Sequence, residues 1–215
     1  MAAVTDKLIF IHIYKNAGTS IRAAMGLGAW EVGGAHNDVR QVIAEMGEDN
    51  YRQRLSFAVA RNPYDHLLSL WYYVKSSTNH PAYNEAQKGF EALVSWVVTR
   101  MKGWQDPEYN HLQRQIDFVT WKGKISVDRI LRYENLQIEW AQLCRDVAIP
   151  VTRLGRHNKS HLRSEDAAKE IRKYPGMVHL IDRYFSRDFQ VFGYSKLGDV
   201  DKFSVPQVTQ PLLIS

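Results

Sequence analysis

Short β-branched apolar runs alternate along the chain with segments of helical spacing. KLIFIHI, residues 7–13, has no polar alternation, which predicts a strand buried on both faces. Thr19 to about Leu27 reads as a helix closed by Gly26 and Gly28. AWEV (29–32) predicts a short strand. Val39, Val42, Ile43 and Met46 then recur at helical spacing. RLSFAVAR (54–61) predicts another buried strand, and Asn62-Pro63 predicts a helix start, with Asn as N-cap and Pro at N1.

The segment YDHLLSLWYYVKS is apolar on one side, and residues 86–101 continue in helical spacing, while 75–85 and 102–110 read as polar connections. IDFVT (116–120) and DRILRYE (128–134) predict strands around Lys122-Gly123-Lys124. NLQIEWAQLCRDV reads as a helix. A basic loop follows, with Ser164 placed to cap the next helix, and a last helix near 176–186 precedes FQVFGYS. The tail, 197–215, gives no clear pattern. Alternation of this kind predicts an α/β fold with a central, mainly parallel sheet flanked by helices, in a single domain over 1–215. Trp71, Tyr72, Trp96 and Trp140 are expected in the core.

Composition narrows the partners. Hydrophobic residues make up 45% and charged residues 24% of 215, and the net charge of +5 is a dispersed basic excess. That suits an anionic ligand and falls short of a nucleic-acid footprint. One cysteine, Cys144, excludes an intrachain disulfide. The start of the chain reads as neither signal peptide nor membrane span, so a cytoplasmic protein is expected. Oligomeric state is not legible.

Two stretches carry chemistry. In IYKNAGTS a buried strand enters a tight loop and a helix begins near Gly18-Thr19-Ser20. Backbone N–H groups and the helix dipole favour an anion there. Lys15 adds a mobile charge, and Thr19 and Ser20 add hydroxyls. No Gly-Lys-Ser/Thr occurs in the chain, so the Walker pattern and its Mg²⁺ logic are absent. Taken alone, the loop equally fits a small-residue turn with a surface lysine. In ARNPYDHLLSLW (60–71), Arg61 ends a strand, and Asn62, His66 and Ser69 share a helix face. Arg61 with Ser69 offers a fork and a hydroxyl for a phosphate. Two such features at neighbouring strand ends suit a ligand with two separated phosphates.

Together, FIHIYKNAGTSI and FAVARNPYDHLLSLWYY resemble the two signature motifs of the sulfotransferase superfamily, H-I-P-K-x-G-G-T-S and V-R-N-P-x-D-R-x-x-S, in the branch of carbohydrate sulfotransferases and their bacterial relatives. LRYENL (131–136) resembles the family's R-x-E-x-L segment, and YFSRDFQVFGY (184–194) its closing motif. The resemblance implies a P-loop-NTPase-like sulfotransferase fold and the donor 3′-phosphoadenosine 5′-phosphosulfate (PAPS), with PAP as product and no metal. It assigns Lys15, Asn16, Ala17, Gly18, Thr19 and Ser20 to the 5′-phosphosulfate and Arg61 and Ser69 to the 3′-phosphate. Lys159 and Ser160, in Asn158-Lys159-Ser160, match a late N-x-S segment near donor or acceptor. Tyr14 stands in place of a proline, Ala17 of a glycine, Ala60 of a valine and His66 of an arginine. Ala17 fits the loop only with a negative φ.

Sulfuryl transfer is an in-line displacement in which positioning and electrostatics dominate. Lys15 is the candidate to stabilise charge on the leaving phosphate. His36, between the two motifs, is by resemblance the candidate base, with an imidazole near its ordinary value of about 6.5. Glu134 is the rival base, and is expected to be structural, pairing with a cation. His157 and His161 lack a third metal ligand.

The acceptor is expected to be a hydroxyl, with a saccharide or glycoconjugate favoured. Trp104, Trp121, Tyr83 and Tyr109 are candidate cleft aromatics, and Arg153, Arg156, Lys159 and Arg163 would suit an anionic sugar. Two alternatives stay open: a P-loop-related ATP-dependent kinase, and a non-catalytic nucleotide-binding protein on the same scaffold.

Overall fold

The computed structural model describes residues 2–26, 30–32, 36–100, 113–155, 164–198 and 212–213. The first half of the chain runs β1 (Ala2–Val4), β2 (Leu8–Ile11), α1 (Gly18–Met25), β3 (Trp30–Val32), α2 (Val39–Met46), α3 (Glu48–Arg52), β4 (Leu55–Ala60), α4 (Pro63–Ser76), α5 (Tyr83–Lys88) and α6 (Phe90–Arg100). The second half runs α7 (Gln115–Val119), β5 (Thr120–Trp121), β6 (Lys124–Ile125), β7 (Arg129–Arg132), α8 (Leu136–Asp146), α9 (Ser164–Ile171), α10 (Pro175–Tyr184), α11 (Ser186–Phe192) and β8 (Leu212–Leu213). A single 3₁₀ turn, Tyr133–Asn135, joins β7 to α8.

These elements fall into two compact units, one made of Met1–Arg61, Arg114–Lys159 and Thr209–Ser215, the other of Asn62–Gln113 and Ser160–Val208. The first unit holds a six-stranded sheet in the order β3-β1-β2-β4-β7-β8. Its centre, β2-β4-β7, is parallel, and both edges are closed by antiparallel strands. The α/β architecture expected from the sequence is present. Register puts Ile11 opposite Ala58, and Ala60 opposite Arg132. The residues after β4 and β7, Arg61 and Tyr133, therefore leave adjacent strands at the same level.

Alternation within the strands sends Phe10, Phe57, Val59 and Leu131 to one face, where Ile21 of α1 and Leu136, Trp140, Leu143 and Cys144 of α8 cover them. The α8 residues recur at i, i+4, i+7 and i+8, which is one helix stripe. Trp140 lies 5.9 Å from Phe57, centroid to centroid, and is fully buried. Lys7 Nζ donates to the carbonyls of Val147 and Ala148, 3.0 Å each, so a cation closes the C-terminal end of α8. Packing thus fixes α1 against the sheet at the end where the β2 loop emerges.

The second unit contains α4, α5, α6, α9, α10 and α11. Its α4 starts as the sequence predicts: Asn62 accepts from the Tyr64 N–H at 3.0 Å and Pro63 takes N1. The Tyr64 hydroxyl binds the Asp182 carboxylate and accepts from the Leu197 N–H at 2.8 Å. Trp71 is buried and donates to the Ala86 carbonyl at 3.0 Å.

Several expectations need correction. IDFVT is not a strand but mostly the helix α7, with only Thr120 extended. Its short apolar run has no period that separates strand from helix, and Arg114, bonded to Asp117 at 2.8 and 2.9 Å, anchors the turn. Lys122 and Gly123, both at positive φ (49° and 77°), close the small β5–β6 hairpin. The segment 75–85 is partly helical at both ends, and residues 86–101 split at Gly89, whose φ is 134°. FQVFGYS does not follow the last helix; most of it belongs to α11. The tail contributes β8, antiparallel to β7.

Candidate active site

The loop between β2 and α1 is built from an unusual backbone. Lys15 has φ 61° and Ala17 has φ 59° and ψ 21°, both left-handed, while Asn16 between them is not at positive φ. Backbone of alternating hand turns successive N–H groups toward one side, a concavity that takes anions. Ala17 is the N-cap of α1, with no side-chain cap, and its carbonyl accepts the first helical bond from Ile21 at 3.1 Å. The expected negative φ at Ala17 is therefore overturned. An L-residue with a Cβ in this region costs roughly 1–2 kcal/mol, so the loop holds strain that the tertiary fold must sustain.

Asn16 sustains it. Its buried side chain donates from Nδ2 to the Val59 carbonyl and to Gln115 Oε1, 2.7 Å each. Gln115 is itself fully buried and bonds both backbone groups of Arg61: Oε1 accepts from its N–H at 2.9 Å, and Nε2 donates to its carbonyl at 2.8 Å. The Arg61 guanidinium donates to the Lys15 carbonyl at 3.2 Å and lies 4.1 Å from the centre of the Tyr133 ring. That contact follows from the register of β4 and β7. Lys15, Asn16, Gln115 and Arg61 form a closed circuit.

Electrostatics within the circuit favour an incoming anion. Arg61 is only 2% exposed. Burial, with the Arg61 charge adding to it, pulls the Lys15 ammonium down to about 8. The half-buried ammonium of Lys15 and the buried guanidinium of Arg61 repel each other, and the α1 N-terminus adds positive potential. A bound anion would relieve all three.

Beside the loop, the His36 ring packs against His12 (centroids 4.5 Å apart) and edge-on to Tyr14 (4.7 Å). His36 is itself left-handed, at φ 58°, which aims its ring back at the β2 end. Its Nδ1 lies 3.3 Å from the His12 carbonyl. A carbonyl only accepts, so the proton sits on Nδ1 and the lone pair is left on Nε2. Burial pushes the His36 imidazole down to about 4, partly opposed by this hydrogen bond, rather than leaving it near 6.5 as the sequence suggested. Burial and the neighbouring His36 push His12 down to about 3. The His12 ring lies where a side chain on Gly18 would be, so a methyl there would collide with it.

The sulfotransferase family model matches residues 1–195. The chain belongs to the sulfotransferase family. Neither a curated protein nor a solved structure matches it. The family's chemistry is sulfuryl transfer, and the match runs through both compact units. No described helix of this sulfotransferase is long and apolar enough to cross a membrane.

Of the residues singled out in the sequence, Lys15, Asn16, Ala17, Gly18, Ser20, His36 and Arg61 come together in the first unit. Thr19 is exposed on the first turn of α1. The Ser20 hydroxyl donates to the Gly155 carbonyl at 2.7 Å, which fastens α1 to the segment after α8. Ser69 is half-buried on α4 of the second unit. Lys159 and Ser160 lie outside the described residues, as do Arg156, His157, Asn158, His161, Arg163, Trp104 and Tyr109. Glu134 is exposed on the 3₁₀ turn, while Glu139 accepts from the Arg132 N–H at 2.6 Å and fixes the end of β7. Sequence reading missed Gln115 and Tyr133. Their partners lie far away in the chain, and no local signal marks them.

Proposed function

We propose that the chain transfers a sulfuryl group from PAPS to an acceptor hydroxyl, with a saccharide or glycoconjugate as the acceptor class. The observation that carries this reading is the pair of cations, half-buried Lys15 and fully buried Arg61, fixed at adjacent parallel strand ends beside the start of α1. PAPS carries anionic groups at both ends of its ribose, and the residues present fit them. The alternating-hand loop from Lys15 to Gly18 and the first N–H groups of α1 suit the 5′-phosphosulfate, and Arg61 suits the 3′-phosphate. The motif resemblance assigns further donor contacts to Thr19, Ser20, Ser69, Lys159 and Ser160. Bound PAPS would supply the sulfuryl group together with a good leaving phosphate.

The chain's own residues then have separate tasks. Lys15 neutralises charge that gathers on the leaving side, a preorganised interaction that grows as the bond breaks. His36 presents the Nε2 lone pair at every pH above about 4. The burial that keeps it neutral also weakens it as a base, so it takes the proton only once bond formation has acidified the attacking hydroxyl. Tyr14, His12 and the left-handed backbone at His36 hold the ring in place.

Incubation with PAPS and a panel of neutral and anionic oligosaccharides tests this directly. PAP and a sulfated sugar should accumulate together, and sulfation of an amine or of a lipid hydroxyl alone would overturn the acceptor class. Absence of PAP with every acceptor class would overturn sulfuryl transfer from this donor.

A further inference from the structure

From the circuit around the loop we infer that Gln115 is a positioning residue, which sets the distance and orientation between the loop at Lys15–Ala17 and the strand end at Arg61. The inference rests on the donor-binding reading of that site for its functional consequence, though its geometry stands without a ligand.

Gln115 is the first residue of α7 and is fully buried. Its amide does two jobs at once. Facing Arg61, it pairs with both the N–H and the carbonyl, so it prolongs β4 by one residue as a neighbouring strand would. Facing the loop, the same Oε1 accepts from Asn16, whose Nδ2 also reaches Val59 on β4. Both lone pairs of Oε1 are therefore used. The assignment of oxygen and nitrogen is forced, because the Arg61 N–H can only donate and its carbonyl can only accept. Cutting this amide would release Arg61 from Asn16 while leaving the guanidinium and the ammonium in the chain.

An uncharged amide is the side chain that meets every demand. A glutamate of the same shape could accept from Asn16 and from the Arg61 N–H, yet its second oxygen would face the Arg61 carbonyl with no proton between them. Its negative charge would also lie beside Lys15 and Arg61 and compete with an incoming phosphate. A methionine would keep the volume and lose every bond.

The test uses Gln115→Met and Gln115→Glu in the full chain. Amide hydrogen exchange without ligand should quicken at Arg61 and also across residues 14–18 in Gln115→Met. PAP affinity should fall about tenfold or more in both variants, the effect of orphaning buried polar groups. The loss in Gln115→Met should be non-additive with Asn16→Ala, since both cut one tie. In Gln115→Glu the pH at which Lys15 titrates should rise. Exchange that quickens at Arg61 alone, or PAP affinity equal to wild type in both variants, overturns the inference. So does global unfolding of both variants, which would make Gln115 a general core residue. Failure of the wild-type chain to bind PAP would overturn the functional reading instead, and the exchange pattern would still decide the role of Gln115.

Discussion

Arg61 donates from its guanidinium to the backbone carbonyl of Lys15, 3.2 Å away, across two parallel strands. The bond ties half-buried Lys15 to buried Arg61, two cationic residues, at a cost to the free protein. An anion bound at this place would recover that cost.

A pH dependence follows from the lowered ammonium of Lys15. A bound phosphate favours the charged form and raises its value, so binding takes up a proton above about pH 8. PAP affinity should be flat between about pH 7 and 8, above the second ionisation of its phosphates at about 6, and then decline by up to about tenfold per pH unit. Calorimetry across pH 6–10 checks this, the range chosen around the Lys15 value of about 8. Lys15→Met should bind PAP more weakly with that inflection gone, and should lower the transfer rate by roughly a hundredfold or more. The sign reverses for the free protein. The unfolded chain binds this proton more tightly, so the wild-type stability gains from Lys15 as pH rises through about 8. Chemical denaturation should show that gain lost in Lys15→Met.

His36→Gln should lower the transfer rate with little change in PAP affinity, because the ring is assigned to the acceptor proton. The wild-type rate should show no inflection near the ordinary imidazole value, since burial holds His36 at about 4. Stability should fall as pH drops from about 6.5 toward 4 and 3, where the unfolded chain binds protons that His36 and His12 refuse. Acid unfolding monitored by circular dichroism should be less steep in His36→Gln.

Ala17→Gly should stabilise the protein by about 1 kcal/mol, as glycine adopts the left-handed N-cap without a Cβ penalty. Urea unfolding checks this, with PAP affinity unchanged or better.

Gly18→Ala should act in the opposite direction. The added methyl meets the His12 ring, and overpacking of this kind costs about 1–3 kcal/mol. His12→Ala should recover part of that loss in the double variant, and a full additive loss would mean that the loss does not arise from this collision.

Much of this was legible in the sequence. The runs around Phe10, Phe57 and Leu131 announced the central strands because a doubly covered strand needs no polar alternation. Lys15 and Arg61 stood out because charge at the end of such a run is expensive unless used. Asn62-Pro63 gave the α4 start outright. What was hidden depends on distance in the chain or on burial. Gln115 pairs with residues 54 and 99 positions away, and IDFVT carries no period that would betray α7. The left-handed backbone at Ala17 is imposed by the bonds of Asn16, since alanine does not choose it. The low values at His36 and His12 arise from packing that composition cannot report.

The most direct test is thermal unfolding with PAP and, separately, with ATP and Mg²⁺. At about 100 times its Kd, PAP should add roughly 2.7 kcal/mol of stability without any metal, and Lys15→Met should lose most of that gain. No shift with PAP, beside a clear shift with ATP and Mg²⁺, would contradict the two-phosphate grip of Lys15 and Arg61.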